Sequence, residues 1–261
     1  MNKRILFLLM AFPFIAKAQP VTYSVSNAHS HNDYVNPVPF WTAYNEGFGS
    51  IEADIFLAGG ALLVAHEEKE LTAKRSLFGL YLNPLIECLT KHKGYPFADT
   101  SKQLQLLIDI KTDSITTLQA LIETIRKYDV LMNSHKIKWV VTGRRPDQSL
   151  FTSYPSFISF DGELDKEYNA GALTRIAMLS DDCRKYTKWD GTTKLPAADQ
   201  QKLQAAVSKA HNLHKPVRFW AARDMINAWG QFMQLKVDYI NTDHIHELAG
   251  YIFLKSNPYK D

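Results

Sequence analysis

Eight short apolar runs rich in β-forming residues, separated by segments of helical periodicity, constrain this chain more than any other feature. The runs cover residues 23–28, 50–56, 104–110, 137–141, 157–160, 175–179, 216–220 and 237–241. Helix-like segments lie between them, at 37–47, 82–92, 114–128, 197–211 and 224–235. The fourth of these puts Leu203, Ala206, Val207 and Ala210 on one face. Strand and helix alternating over the whole length predict an α/β fold, a (β/α)8 TIM barrel, with an open doubly wound sheet as the weaker choice. No repeat, linker or low-complexity tract divides the chain, so residues 19–261 read as a single domain.

Residues 1–18 read differently. Lys3 and Arg4 precede an apolar stretch over 5–15 that is short for a membrane span, and Ala16-Lys17-Ala18 offers a small-x-small cleavage pattern. The expectation is a signal peptide and a secreted or periplasmic protein, with no transmembrane segment once it is removed; an uncleaved anchor is the alternative. Without Lys3, Arg4 and Lys17 the 30 basic residues fall to 27, equal to the 27 acidic ones. A balanced charge gives no electrostatic support to nucleic-acid binding. Two cysteines, Cys88 and Cys183, exclude a disulfide scaffold and a zinc knuckle, and are read as isolated buried thiols, with a single bridge in an oxidising compartment as the alternative. Oligomeric state is not encoded in any of these patterns.

Polar residues gather where the runs end. His29-Ser30-His31-Asn32-Asp33 follows the first, Glu52-Ala53-Asp54 lies in the second, and Asp109-Ile110-Lys111 ends the third. Strand side chains alternate faces, so Glu52 and Asp54 point the same way about 7 Å apart, and Asp109 shares its face with Lys111. In a barrel this chemistry belongs at the C-terminal rim. Leu62 to His66, just after Gly59-Gly60, reads as the return strand of a hairpin that carries His66 back over that rim. Three carboxylates with no cysteine among them suit one hard divalent cation, Mg2+ or Ca2+.

These residues, in the order Ala28-His29, Ser50-Ile51-Glu52-Ala53-Asp54, Val64-Ala65-His66-Glu67 and Ile108-Asp109-Ile110-Lys111, resemble the PI-PLC-like phosphodiesterase superfamily. That superfamily includes glycerophosphodiester phosphodiesterases and the sphingomyelinases D. The likeness runs from His29 to Asn241 and is greatest to the altered-inheritance-of-mitochondria-like branch. It implies His29 and His66 as the catalytic pair, Glu52, Asp54 and Asp109 as cation ligands, and Trp220 and Asn241 as rim residues that contact substrate. Asp109-Ile110-Lys111 resembles the sphingomyelinase D form. The glycerophosphodiesterase His-Arg-Gly signature is replaced by His29-Ser30-His31, so the headgroup that family accepts does not transfer.

The implied activity is a metal-dependent phosphoric diester hydrolase acting on a glycerophosphodiester, lipid-derived or polyol phosphodiester, hence in lipid metabolism. The cation and Lys111 would neutralise phosphoryl charge while one imidazole takes a proton and the other gives one. His31 shares a face with His29 and could act, bind phosphate or brace; Asp161 could bind a headgroup or orient Lys111. Asn32 and Asp33 read as turn-forming. One rival is an amidohydrolase or phosphoesterase using His29-x-His31 as a metal pair, which would need further histidines at later strand ends where Asp161 and Asp181 stand. Another is a non-catalytic barrel that binds phosphate or glycan.

Overall fold

The computed structural model describes residues 22–257. The expected signal segment 1–18 lies outside these residues. The chain order is β1 (Ala28–Ser30), α1 (Trp41–Glu46), β2 (Ser50–Ala58), β3 (Ala61–Val64), α2 (Asn83–Lys91), β4 (Leu104–Ile110), α3 (Ser114–Arg126), α4 (Asp129–Met132) and β5 (Ile137–Gly143). It continues through β6 (Ile158–Glu163), α5 (Ala170–Arg175), β7 (Ile176–Asp182), α6 (Ala197–Asn212), β8 (Val217–Trp220), α7 (Ile226–Gln234), β9 (Ile240–Thr242) and α8 (Ile245–Ser256).

Eight of these strands pair in parallel in the order β8-β7-β6-β5-β4-β2-β1-β9. The ends approach each other through a parallel bridge between Arg218 and Tyr239, supported by Asp238 and Tyr239 N–H groups donating to the Val217 carbonyl. The sheet is therefore a nearly closed (β/α)8 barrel. β3 pairs antiparallel with β2, making the hairpin expected from Gly59-Gly60. Both glycines have positive φ, +56 and +78, as a tight turn between twisted strands requires.

Alternation along each strand divides the core in two. In β4, Leu104, Leu106, Ile108 and Ile110 face outward into the large apolar shell between strands and helices. Leu107 instead meets Val140 and Met178 in a small cluster inside the barrel. This inner layer closes the bottom of the barrel, so the polar residues further along the same inward columns are held near its C-terminal mouth. Helix α3 begins where the Asp113 side chain accepts from the Thr116 N–H at 3.0 Å, directly after the strand that carries Asp109 and Lys111.

One local reading is corrected. The first strand is not 23–28: residues Val25–Asn27 form a 3-10 turn capped by Ser24, and the strand begins at Ala28. His211 is buried, its Nε2 2.8 Å from Asp238 Oδ2, where it ties α6 to the start of β9. Cys88 and Cys183 are buried free thiols, as expected.

Candidate active site

A cavity of about 460 Å3 opens at the C-terminal mouth of the barrel. Its wall includes His31, Glu52, His66, Asp109 and Lys111, and then Arg145, Asp161, Asp181, Lys185, Arg218 and Trp220 from the strands and loops opposite.

Glu52, Asp54 and Asp109 each bring a carboxylate oxygen to within 4.8 Å of the other two. Alternation places Glu52 and Asp54 on one face of β2, and the parallel register sets Asp54 directly beside Asp109. Lys111 Nζ donates to Asp54 Oδ2 and to Asp109 Oδ2, both at 2.9 Å. The Tyr34 hydroxyl donates to Asp54 Oδ2 at 2.8 Å. The remaining oxygens, Asp54 Oδ1 and Asp109 Oδ1, are buried with no hydrogen-bond partner among the described residues. Gly143 makes room for the second of these, since a Cβ there would stand 1.9 Å from Asp109 Oδ1.

The electrostatics follow from this crowding. Burial, then the charges of Glu52 and Asp109, push Asp54 up to about 6 despite Lys111. Asp109 is also raised by burial, against the pull of Lys111. Burial would lower Lys111, but the two aspartates outweigh it and raise it. Glu52 goes the other way: burial would raise it, yet the Arg218 guanidinium and His29 hold it well below the usual carboxylate range. Orphaned, buried, all-oxygen lone pairs are the donor set of a hard divalent cation, so these residues fit Mg2+ or Ca2+.

The histidines separate. His29, the expected catalytic residue, has no exposed surface and is absent from the cavity wall. Its Nδ1 lies 2.8 Å from Ser50 Oγ and its Nε2 2.8 Å from Glu52 Oε2, and burial together with Arg218 lowers it to about 4. It sits one layer beneath the site. His31 is on the wall, with Nδ1 2.8 Å from Asp243 Oδ1. Burial opposes charge on His31, but the hydrogen bond to Asp243 and the carboxylates of Glu52 and Asp243 raise its pKa. His66 reaches the wall from the hairpin, its side chain 56 % exposed and its Nδ1 3.0 Å from the Tyr34 hydroxyl oxygen.

Among the other expected residues, Trp220 is on the rim, 37 % exposed, with the Arg184 guanidinium 5.8 Å over its ring. Asp161 lines the cavity and accepts from Thr142 Oγ1 at 3.0 Å; it does not orient Lys111, which is committed to Asp54 and Asp109. Asn241, expected to contact substrate, is off the wall and accepts from Arg218 at 3.0 Å. Asn32 and Asp33 do shape the turn: Asn32 is left-handed, and buried Asp33 accepts from Ser30 Oγ and the Phe40 N–H. The sequence reading missed Tyr34 and Arg218. The sole signal for Arg218 is that a lone cation in Val217-Arg218-Phe219-Trp220 shares a face with the rim tryptophan.

A carboxylate trio, a lysine and two cavity-facing histidines stand together at the mouth of a TIM barrel, and the chain is similar to phosphodiesterases. Residues 18–140 match the family model described as AIM6-like phosphodiesterase domain, and residues 216–245 match the glycerophosphoryl diester phosphodiesterase family. By these matches the chain is similar to the PI-PLC-like, glycerophosphodiester phosphodiesterase superfamily, and in particular to its AIM6-like branch. The chain is 28 % identical to the altered inheritance of mitochondria protein 6 homolog of Arthroderma benhamiae, over 85 % of this chain and 82 % of that one. It is 26 % identical to the altered inheritance of mitochondria protein 6 of Eremothecium gossypii, over 86 % of this chain and 69 % of that one. A glycerophosphodiester phosphodiesterase structure from Parabacteroides distasonis shares the fold, with a TM-score of 0.54 at 12 % identity, covering 88 % of this chain and 94 % of that chain.

Proposed function

We propose that the protein cleaves a small glycerophosphodiester, lipid-derived or polyol phosphodiester with the help of one divalent cation, Mg2+ or Ca2+. The observation that carries this reading is the pair of orphaned oxygens, Asp54 Oδ1 and Asp109 Oδ1, in a carboxylate trio beside two cavity-wall histidines. Glu52, Asp54 and Asp109 would hold the cation. When bound, it supplies Lewis-acid stabilisation of the phosphoryl oxygens.

The chain's own groups have divisible roles. The tautomer of His66 whose Nδ1–H is donated to the Tyr34 oxygen, with the Tyr34 O–H donated to Asp54, leaves Nε2 bare for a proton. We assign His66 as the base that deprotonates the attacking oxygen as its bond to phosphorus forms. His31, whose Nδ1–H donates to Asp243 and whose pKa is raised, keeps a proton on Nε2 to give to the leaving alkoxide as its P–O bond breaks. Attack by water yields a phosphomonoester and an alcohol; attack by a substrate hydroxyl yields a cyclic phosphate and an alcohol. Lys111 offsets charge on the phosphoryl oxygens, and Trp220 offers a platform to the leaving group.

His29 takes a supporting place in this scheme, beneath Glu52. The same geometry removes support for the amidohydrolase reading, because His29 faces Ser50 and Glu52 whereas His31 faces Asp243. The complete acid set likewise speaks against a barrel that only binds. Residues 1–18 support a secreted or periplasmic setting through their composition. Phosphorus NMR of a panel of glycerophosphodiesters, lysophospholipids and polyol phosphodiesters, with and without chelator, tests the proposal. Chelator-sensitive conversion to a monoester or cyclic phosphate is expected; no turnover of any member with either cation would refute it.

A further inference from the structure

Arg218 is nearly sealed from solvent, 4 % exposed, although it projects into the barrel rather than to the surface. Its Nη1 lies 2.9 Å from Glu52 Oε2, 3.0 Å from Asn241 Oδ1 and 2.6 Å from His29 Nε2. In the barrel order β9 and β1 stand between its own strand, β8, and that of Glu52, β2, so the side chain spans the interior. Long cationic side chains enter such interiors only where they are paired.

We propose that Arg218 is a positioning residue of the carboxylate centre: it grips Glu52 Oε2 from beneath and so fixes which oxygen of Glu52 faces the cavity. The inference rests on the proposed cation site and adds the device that orients one of its ligands. Hydrogen counting supports it. His29 Nε2 cannot donate to Glu52 and accept from Arg218 at once, whereas Nη1 has only two protons for its three neighbours. One assignment serves the rest of the chain, and it makes His29 Nε2 and Arg218 Nη1, 2.6 Å apart, neighbouring donors that share Glu52 Oε2. Gln105 Nε2–H donates to Ser50 Oγ, whose O–H donates to His29 Nδ1; His29 Nε2–H then donates to Glu52 Oε2. Arg218 spends its two Nη1 protons on Glu52 Oε2 and Asn241 Oδ1. Oε2 is thus held by two donors, and among the described residues Oε1 receives none. Asn241, off the cavity wall, takes a place in aiming Arg218.

A lysine at this position keeps the charge on a flexible stem but lacks the rigid guanidinium plane that aims Nη1 at both Glu52 and Asn241. The test is Mn2+ binding by calorimetry, without substrate, for Arg218→Lys and Arg218→Met in the wild-type and Glu52→Gln backgrounds, with the melting temperature of each. Arg218→Lys is expected to weaken Mn2+ binding at least about tenfold, the scale for residues that orient metal ligands. At saturating cation it should lower kcat and leave KM unchanged. In the Glu52→Gln background the remaining Mn2+ affinity should fall no further. If Arg218→Met alone fails to fold, Arg218→Met/Glu52→Gln, which removes the buried carboxylate charge with its partner, supplies the comparison. Unchanged Mn2+ affinity per folded molecule in Arg218→Lys, or a further loss on top of Glu52→Gln, would overturn the inference, as would a rise in KM alone. Mn2+ effects as expected, in a protein that turns over no phosphodiester, would support the inference and count against the proposed reaction alone.

Discussion

Asp54 and Asp109 stand directly opposite each other in the parallel register of β2 and β4, and each keeps its Oδ1 buried without a partner among the described residues. Like charges facing across a strand pair repel, and a buried acceptor without a donor is costly. Lys111 answers only half of this, since it bonds the Oδ2 atoms. The pair is a strained arrangement that a cation would relieve.

Cation binding should therefore stabilise the fold. Adding Mg2+ or Ca2+ at about a hundred times its dissociation constant should contribute roughly 2.7 kcal/mol by mass action. Scanning fluorimetry would report this as a higher melting temperature that chelator reverses. Asp109→Asn should lose most of the shift while melting no lower than the cation-free wild type; an undiminished shift in that variant would remove Asp109 from the ligand set.

Lys111→Met separates catalysis from structure. If the ammonium stabilises phosphoryl charge, turnover should fall by about a hundredfold, the lower range for losing one such donor. Cation affinity should hold or improve, because a positive neighbour has gone. A merely structural Lys111 gives the reverse: a lower melting temperature with turnover per folded molecule retained.

The cavity-facing histidines should behave as an acid–base pair. His31→Ala and His66→Ala should each cost about a hundredfold or more in rate, and the wild-type pH profile should be bell-shaped. His29→Gln should act differently, weakening cation binding through Glu52 while preserving both limbs of the profile. Loss of one limb in His29→Gln, with full activity in His31→Ala, would return the catalytic role to His29.

The His31–Asp243 contact has a defined pH signature. The folded-state pKa of His31 is raised, so its contribution to stability is fully present below the unfolded value of about 6.5 and lost as pH rises through the folded value. His31→Asn should lower the melting temperature more at pH 5.5 than at pH 9, values chosen to lie roughly on either side of that range. An equal effect at both would mean that the pair carries no charge.

Much of this was legible because alternation is a local property. The inward column of β4 and the Glu52/Asp54 pair needed no knowledge of neighbouring strands, and the hairpin bearing His66 was signalled by its two glycines. Depth along the barrel axis was not legible. His29 and His31 share a face, but one residue pair of strand rise, about 7 Å, separates a buried brace from a cavity wall. Only the register with Ser50 and Asn241 reveals which is which. The first strand was misplaced because Ser24 and Asn27 cap each other in a tight turn, outcompeting the β preference of Tyr23 and Val25. Arg218 escaped notice because its partners, Glu52, His29 and Asn241, come from three other strands.

The central claim, one cation held by three carboxylates, is tested most directly by anomalous diffraction from a crystal soaked in Mn2+. The expected result is a single anomalous peak in contact with oxygens of Glu52, Asp54 and Asp109, with the Lys111 ammonium drawn away from the two aspartates. A peak coordinated by other residues, or no peak at this trio in a crystal whose Lys111 still bridges Asp54 and Asp109, would contradict it.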